Sequence, residues 1–256
     1  MKKHNTRTIR KSKISQTNKT LQMLTCYDYQ TAKLLSETEL DIILVGDSLG
    51  NVMLGHDSTV KVTLEEMTIF ASAVKRGAKE KFVVADLPFG SIATFDRGIE
   101  NSIKLFQQSG VEALKLEGAS THHLALIQRL TEAGIPIMGH IGLMPQSVHQ
   151  QGGYYTHGKD DSSRERLLKE AHALCEAGVF SLVLECIQPQ IAKQITEELP
   201  IPTIGIGSGK ETDGQVLVIN DLLKLGSDYP PSFCEPIADL YAEKKRLIES
   251  YLQSSK

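Results

Sequence analysis

Seven residues of this chain stand where short apolar runs end, and their types are those of acid–base and cation chemistry. The run Asp41–Gly46 is followed by Asp47 and Ser48. Phe82–Asp86 closes on Asp86, Ala113–Glu117 carries Lys115 and Glu117, Ile135–His140 closes on His140, and Phe180–Glu185 closes on Glu185. A lone acid in such a place is most simply a helix N-cap. Four acids gathered in one cleft are a different case, because uncompensated like charges are costly and call for a cation. Carboxylates without a Cys or His cluster favour a hard, oxygen-seeking ion such as Mg2+. The residue types therefore point to a metal-assisted reaction, provided the fold brings them together.

The elements between them supply that fold. Further apolar runs occur at Leu21–Cys26, Pro202–Ile206 and, more weakly, Gly214–Ile219. All are short, rich in β-branched residues and nearly continuous in apolar character, as buried parallel strands are. Helical spacing of apolar residues separates them at Leu64–Gly77, Gly98–Gly110 and Leu167–Gly178, each stopped by glycine. A turn of Ala or Ser followed by Gly recurs at Ser109-Gly110, Ala133-Gly134 and Ala177-Gly178. That rhythm is one of repeated βα units, whose parallel strands need crossover helices. Eight such strands in 256 residues predict a (β/α)8 barrel, where strand C-termini converge on one face. A doubly wound open sheet is the alternative, and it would not bring all the strand ends together.

Other features narrow the class. Net charge is −3 and tryptophan is absent, which disfavours nucleic acid as a partner. No apolar run reaches the length of a membrane span. Cys26, Cys175, Cys186 and Cys234 form no CxxC pair, so a reducing cytoplasm is expected. The first 19 residues hold Lys2, Lys3, Arg7, Arg10, Lys11, Lys13 and Lys19 with no acid. Residues 1–20 are read as a mobile basic lead-in, and residues 21–256 as a single barrel domain ending in a charged helix from about Pro236. Gly205-Ile206-Gly207-Ser208-Gly209-Lys210 fails the P-loop pattern and reads equally as a ligand loop or a tight βα turn. The polar, glycine-rich stretch from Gly139 to Gln146 and on to Tyr154 has the character of a lid. His140, His149 and His157 match no standard zinc spacing.

The segments MLTCYDYQTAKL (23–34), DIILVGDSLGNVMLGHDST (41–59), VVADLPFGS (83–91), ALKLEG (113–118), GIPIMGHIGLMPQSV (134–148), LVLEC (182–186), IPTIGIGSG (201–209) and DGQVLV (213–218) run in order along the chain. Together they resemble the 3-methyl-2-oxobutanoate (ketopantoate) hydroxymethyltransferase family. Met144, Ser208 and His56 depart from the family pattern, and the resemblance fades after Asp221. It implies a TIM barrel of the phosphoenolpyruvate/pyruvate type and a homodecamer or other large homo-oligomer. It implies Mg2+ held through Asp47, Asp86 and Glu117, and a substrate pocket of Asp47, Ser48, Asp86, Lys115 and His140. Glu185 would be the proton-transfer residue. The implied reaction moves a one-carbon unit from 5,10-methylenetetrahydrofolate to a small 2-oxo acid, 3-methyl-2-oxobutanoate, giving 2-dehydropantoate for pantothenate biosynthesis.

This chemistry agrees with the residue types, since a Lewis acid stabilises the enolate of an oxo acid by several kcal/mol. The rivals are a carbon–carbon lyase or mutase of the same barrel type, and a barrel that binds a metabolite without turning it over.

Overall fold

The computed structural model describes residues 3–254. Its strands are β1 Leu21–Thr25, β2 Ile42–Val45, β3 Phe82–Asp86, β4 Ala113–Glu117, β5 Ile137–Gly142, β6 Ser181–Glu185, β7 Thr203–Ile206 and β8 Gly214–Leu217. They close in sequence order into one barrel, with every resolved neighbour pair from β1 to β8 parallel. The open-sheet alternative falls. Four strands, β2, β5, β6 and β7, start one or two residues later than their apolar runs, and two of these starts have a local cause. Pro136 and Pro202 stand at those starts, and a residue without an N–H cannot donate to the ladder.

The outer helices form where local signals are strong. Leu64–Gly77 opens with a capping box in which Thr63 Oγ1 accepts from Glu66 N and Glu66 Oε2 accepts from Thr63 N. The helix Phe95–Ser109 ends on Gly110 at φ 70°. The helix Asp161–Glu176 starts six residues before the apolar pattern begins. Its first turn is polar, and its start is set by Asp160, whose carboxylate accepts from Ser163 N at 2.9 Å.

Inside the barrel, side chains alternate between the interior and the helix layer. The inward set at the N-terminal end is apolar: Leu21, Met23, Ile42, Leu44, Phe82, Val84, Ala113, Met138 and Ile204 belong to one buried cluster. One step further along the strands the same parity reaches Asp86, Lys115, Glu117, His140 and Glu185. The chain thus stacks a charged layer on an apolar one.

Two expectations are corrected. The basic lead-in forms the short helices Thr6–Arg10 and Ile14–Thr17. Ile9 is fully buried in the interior cluster, and Lys13 is buried against Asp213 at 3.0 Å while also donating to the carbonyl of Thr196. A basic segment read as mobile is held down by one apolar and one basic residue, the latter extending its apolar stem inward. Residues 21–256 also do not form one unit. One compact unit runs to Val216 and a second begins at Leu217. In the second, the helix Leu240–Ser254 buries none of its own residues, and its start is tied back by Ile237 N and Tyr241 N, which donate to Leu222 O and Lys224 O. The final helix begins four residues later than expected. No helix among the described residues is long and apolar enough to cross a membrane.

Removing one partner of a buried ion pair strands the other charge, at a cost of about 3–5 kcal/mol. Lys13→Ala is therefore expected to lower unfolding free energy by about that amount in chemical denaturation. A change near zero would mean that the N-terminal segment is not docked in solution.

Candidate active site

The seven residues at the strand ends come together, and strand register is the reason. Asp86 and Lys115 are Cα partners across β3 and β4, and Glu117 and His140 are partners across β4 and β5. Lys115 and Glu117 are two apart on one strand, so both face inward while Leu114 and Leu116 face the helices. Asp47 and Ser48 follow β2, and Glu185 ends β6 opposite Gly142.

The contacts run as a chain across the barrel mouth. Asp47 N donates to Asp86 Oδ2 at 3.0 Å. Lys115 Nζ lies 3.1 Å from Asp86 Oδ1, off the hydrogen-bonding direction, and 3.8 Å from Glu117 Oε1. His140 Nδ1 lies 3.3 Å from Glu117 Oε1, and its Nε2 lies 3.3 Å from Glu185 Oε2 without an aligned bond. Ser48 Oγ and Tyr27 Oη are joined by a hydrogen bond of 2.8 Å that either hydroxyl can donate. Asp47, Asp86, Lys115, Glu117 and His140 are all buried, and Glu185 is partly open to solvent.

Electrostatics follow from that crowding. Burial first, then the charges of Asp86 and Glu117, push the Asp47 carboxyl well above its ordinary range, against Lys115 and Gln146. Burial likewise raises Asp86, although Lys115 and Asp47 N oppose it. Burial would also raise Glu117, but His140, Lys115 and Gln146 N together bring it below its usual value. Lys115 is penalised by burial, yet Asp86, Glu117 and Asp47 hold its ammonium in the charged form. Burial and Lys115 both work against a charged His140, and attraction to Glu117 and Glu185 outweighs them, raising its pKa to about 9. The imidazolium thus links the carboxylate cluster to Glu185.

Glu185 is set by backbone as well. Gly142 has φ 101°, and a Cβ there would sit 2.2 Å from the Glu185 carbonyl oxygen. That carbonyl accepts from Leu143 N at 2.8 Å. Cys186, the next residue, has φ 48°, a left-handed conformation that costs a non-glycine residue about 1–2 kcal/mol. Burial pushes the Cys186 thiol up to about 11 and the Cys26 thiol up to about 12, so neither is a ready thiolate nucleophile.

The neighbouring loops complete the mouth. Ser208 is buried, donates to Leu184 O and accepts from Ile187 N, so the glycine-rich segment after β7 is tied to the end of β6. After β5 comes a 3-10 turn at Pro145–Ser147 and a short helix at Val148–Gln151. From that turn Gln146 Nε2 donates to Asp47 Oδ2 at 2.8 Å and to Leu87 O at 3.0 Å. Gln146 and Tyr27 were not among the expected site residues. Tyr27 lies just past a strand end, where the same search rule would have found it. Gln146 lies in a loop with no periodicity to mark it.

A family model described as ketopantoate hydroxymethyltransferase matches residues 3–256. The chain belongs to the ketopantoate hydroxymethyltransferase family. A relative from Leptospira interrogans serogroup Icterohaemorrhagiae serovar copenhageni, named 3-methyl-2-oxobutanoate hydroxymethyltransferase, is 47% identical over 232 residues, covering 90% of this chain and 88% of the relative. Solved structures share the barrel at lower identity. Phosphoenolpyruvate phosphomutase from Streptomyces platensis subsp. rosaceus aligns with a TM-score of 0.67 at 13% identity, over 99% of this chain and 89% of its own. Phosphonopyruvate hydrolase, solved with oxalate and Mg++, aligns with a TM-score of 0.62 at 10% identity, over 83% and 80%. These likenesses show a shared barrel fold.

Two features of the pocket fit a divalent cation. Asp86 Oδ1 is buried with no aligned donor, and Asp47 and Asp86 both resist ionisation in the absence of further positive charge. Among the described residues, no three His, Cys, Asp or Glu side chains make a complete metal cage. Mg2+ needs none, since it usually takes one or two carboxylates and fills its octahedron with water and substrate oxygens.

Gly142→Ala would force the β5 end away from Glu185. It is expected to lower kcat by about 10-fold or more, on the scale of misplaced supporting groups, with a loss of thermal stability. Wild-type kcat in a folded Gly142→Ala enzyme would show that this close approach does not position Glu185.

Proposed function

We propose that this chain transfers a hydroxymethyl group from 5,10-methylenetetrahydrofolate to 3-methyl-2-oxobutanoate, forming 2-dehydropantoate for pantothenate biosynthesis. The observation that carries the reading is the line of contacts from Asp47 and Asp86 through Lys115, Glu117 and His140 to Glu185. It separates a cation-seeking end from a carboxylate that can move a proton. Membership in the family and the shared name of a relative 47% identical support the substrate.

Asp47 and Asp86 would hold Mg2+ directly. Glu117 would support the site from beside it, because its oxygens already face His140, Lys115 and Gln146 N. Bound there, the cation supplies Lewis-acid stabilisation to negative charge developing on the oxo-acid oxygens. Lys115 and Ser48 offer fixed donors to the anionic substrate. Glu185 takes the proton from C3. The electron pair left on C3 then attacks the donor's methylene carbon as one of its two carbon–nitrogen bonds breaks; water displaces the second nitrogen and supplies the hydroxyl, and the two folate nitrogens take up the C3 proton and one proton of the water. His140 holds Glu185 at the end of the chain and balances its charge. The large homo-oligomer, a decamer, and a cytoplasmic setting belong to the same proposal.

The lyase or mutase reading is supported by likenesses of fold at 13–16% identity and gains nothing from the 47% relative. The deciding assay is product formation from 3-methyl-2-oxobutanoate and methylenetetrahydrofolate, with and without Mg2+. Oxo-acid binding with no turnover would favour the non-catalytic reading instead.

Three variants and probes separate the roles. Asp86→Asn should weaken Mg2+ binding and cut turnover, each by at least about 10-fold, as read by titration calorimetry and steady-state rates. Proton removal needs no folate, so enzyme with Mg2+ alone should wash deuterium from C3 of the oxo acid into water. Glu185→Gln should abolish that exchange while leaving Mg2+ and oxo-acid affinities near those of the wild type. Unchanged exchange would eliminate Glu185 as the base. Finally, borohydride should trap no oxo-acid adduct on Lys115, since a cation already stabilises the enolate; a trapped imine would reassign that residue.

A further inference from the structure

We propose that Gln146 is a positioning residue that orients Asp47 towards the cation and holds Glu117 beside it, making the turn after β5 part of the cation site. The proposal rests on the cation reading given above.

Gln146 sits on the 3-10 turn Pro145–Ser147, whose first residue is proline. From there it gathers the ends of three strands. Its side-chain amide donates to Asp47 Oδ2, just after β2, at 2.8 Å, and to Leu87 O, just after β3, at 3.0 Å. Its backbone N–H donates to Glu117 Oε2, at the end of β4, at 3.2 Å. Both side-chain partners are acceptors only, so the amide orientation is fixed by chemistry: the NH2 group must face them.

That commitment decides which oxygens remain for a ligand. Asp47 Oδ2 is taken by Gln146, and Asp86 Oδ2 is taken by Asp47 N. Each aspartate is thereby held in one orientation and offers its Oδ1. Asp86 Oδ1 is the buried oxygen that has no aligned donor. Glu117 is held back, with Oε2 on Gln146 N and Oε1 towards His140. A glutamine at this point fixes a carboxylate without adding charge. A lysine would compete with the cation, and a glutamate has no proton to give. Groups that orient metal-binding carboxylates in this way are worth about 10–100-fold in metal affinity or activity.

The test is Gln146→Met, which keeps the side chain's length and removes both donors. Mg2+ affinity is measured by calorimetry on the full chain without substrate, and thermal unfolding with and without Mg2+. Ser147→Ala, on the same turn but touching no carboxylate, is the control. The expected result is Mg2+ affinity weakened by about 10–100-fold, a reduced Mg2+-dependent rise in Tm, wild-type behaviour in Ser147→Ala, and a rise in the Mg2+ concentration needed for half-maximal rate that exceeds the fall in kcat at saturating Mg2+. A merely structural role would lower Tm equally with and without Mg2+ and leave the affinity unchanged, and that outcome would overturn the proposal. If Gln146→Met does not fold, Gln146→Ala, which leaves room for water, is held to the same two outcomes. Should the wild type bind no divalent cation, the cation reading itself fails, and this proposal with it. Wild-type binding retained in a folded Gln146 variant removes this proposal alone.

Discussion

Lys115 is the charge on which the rest of the mouth depends. Three buried carboxylates at the ends of β2, β3 and β4 could not share so small a volume without a cation among them, since desolvation and mutual repulsion both disfavour their charged forms. The ammonium at 3.1 Å from Asp86 and 3.8 Å from Glu117 meets part of that demand. It does not meet all of it, as the raised Asp47 and Asp86 carboxyls show. The charged layer thus stands short of positive charge, which is the demand the proposed cation would meet.

The same deficit explains the polar groups around the rim. Asp47 N, Gln146 Nε2, Gln146 N and the His140 imidazolium all turn towards carboxylate oxygens. Each lowers the cost of keeping charge out of water, and each also fixes a direction. Such a layer of charge needs a rigid floor. The apolar cluster beneath it, closed from below by Ile9, provides one without polar groups that would compete for the same contacts. The barrel's two ends are thus under different demands, packing at the N-terminal end and charge balance at the C-terminal end.

Much of this was legible in the residues. The apolar runs located all eight strands, with β3 and β4 exact to the residue, because a buried parallel strand must be apolar along its length. Some boundaries move where a local rule overrides that pattern, as at Pro136, Pro202 and the Asp160 cap, and others by one or two residues at strand ends. The lead-in was misjudged for a related reason. Seven basic residues suggest a mobile segment, yet burial of Ile9 and pairing of Lys13 with Asp213, 200 positions away, decide its place.

What the sequence determined by itself is the inventory at the strand ends: Asp47, Ser48, Asp86, Lys115, Glu117, His140 and Glu185 are named by where their apolar runs stop. What only the tertiary structure decided is how these groups share their lone pairs and protons. That Glu117 faces His140 and Gln146, that Gly142 makes room for the Glu185 carbonyl, and that Gln146 reaches Asp47 from 99 residues away are facts of register and loop path. Residue type and period specify which side of a strand a group occupies. Distances of about 3 Å between groups far apart in the chain are set only when the barrel closes and the loops pack, because hydrogen bonds depend on both separation and direction.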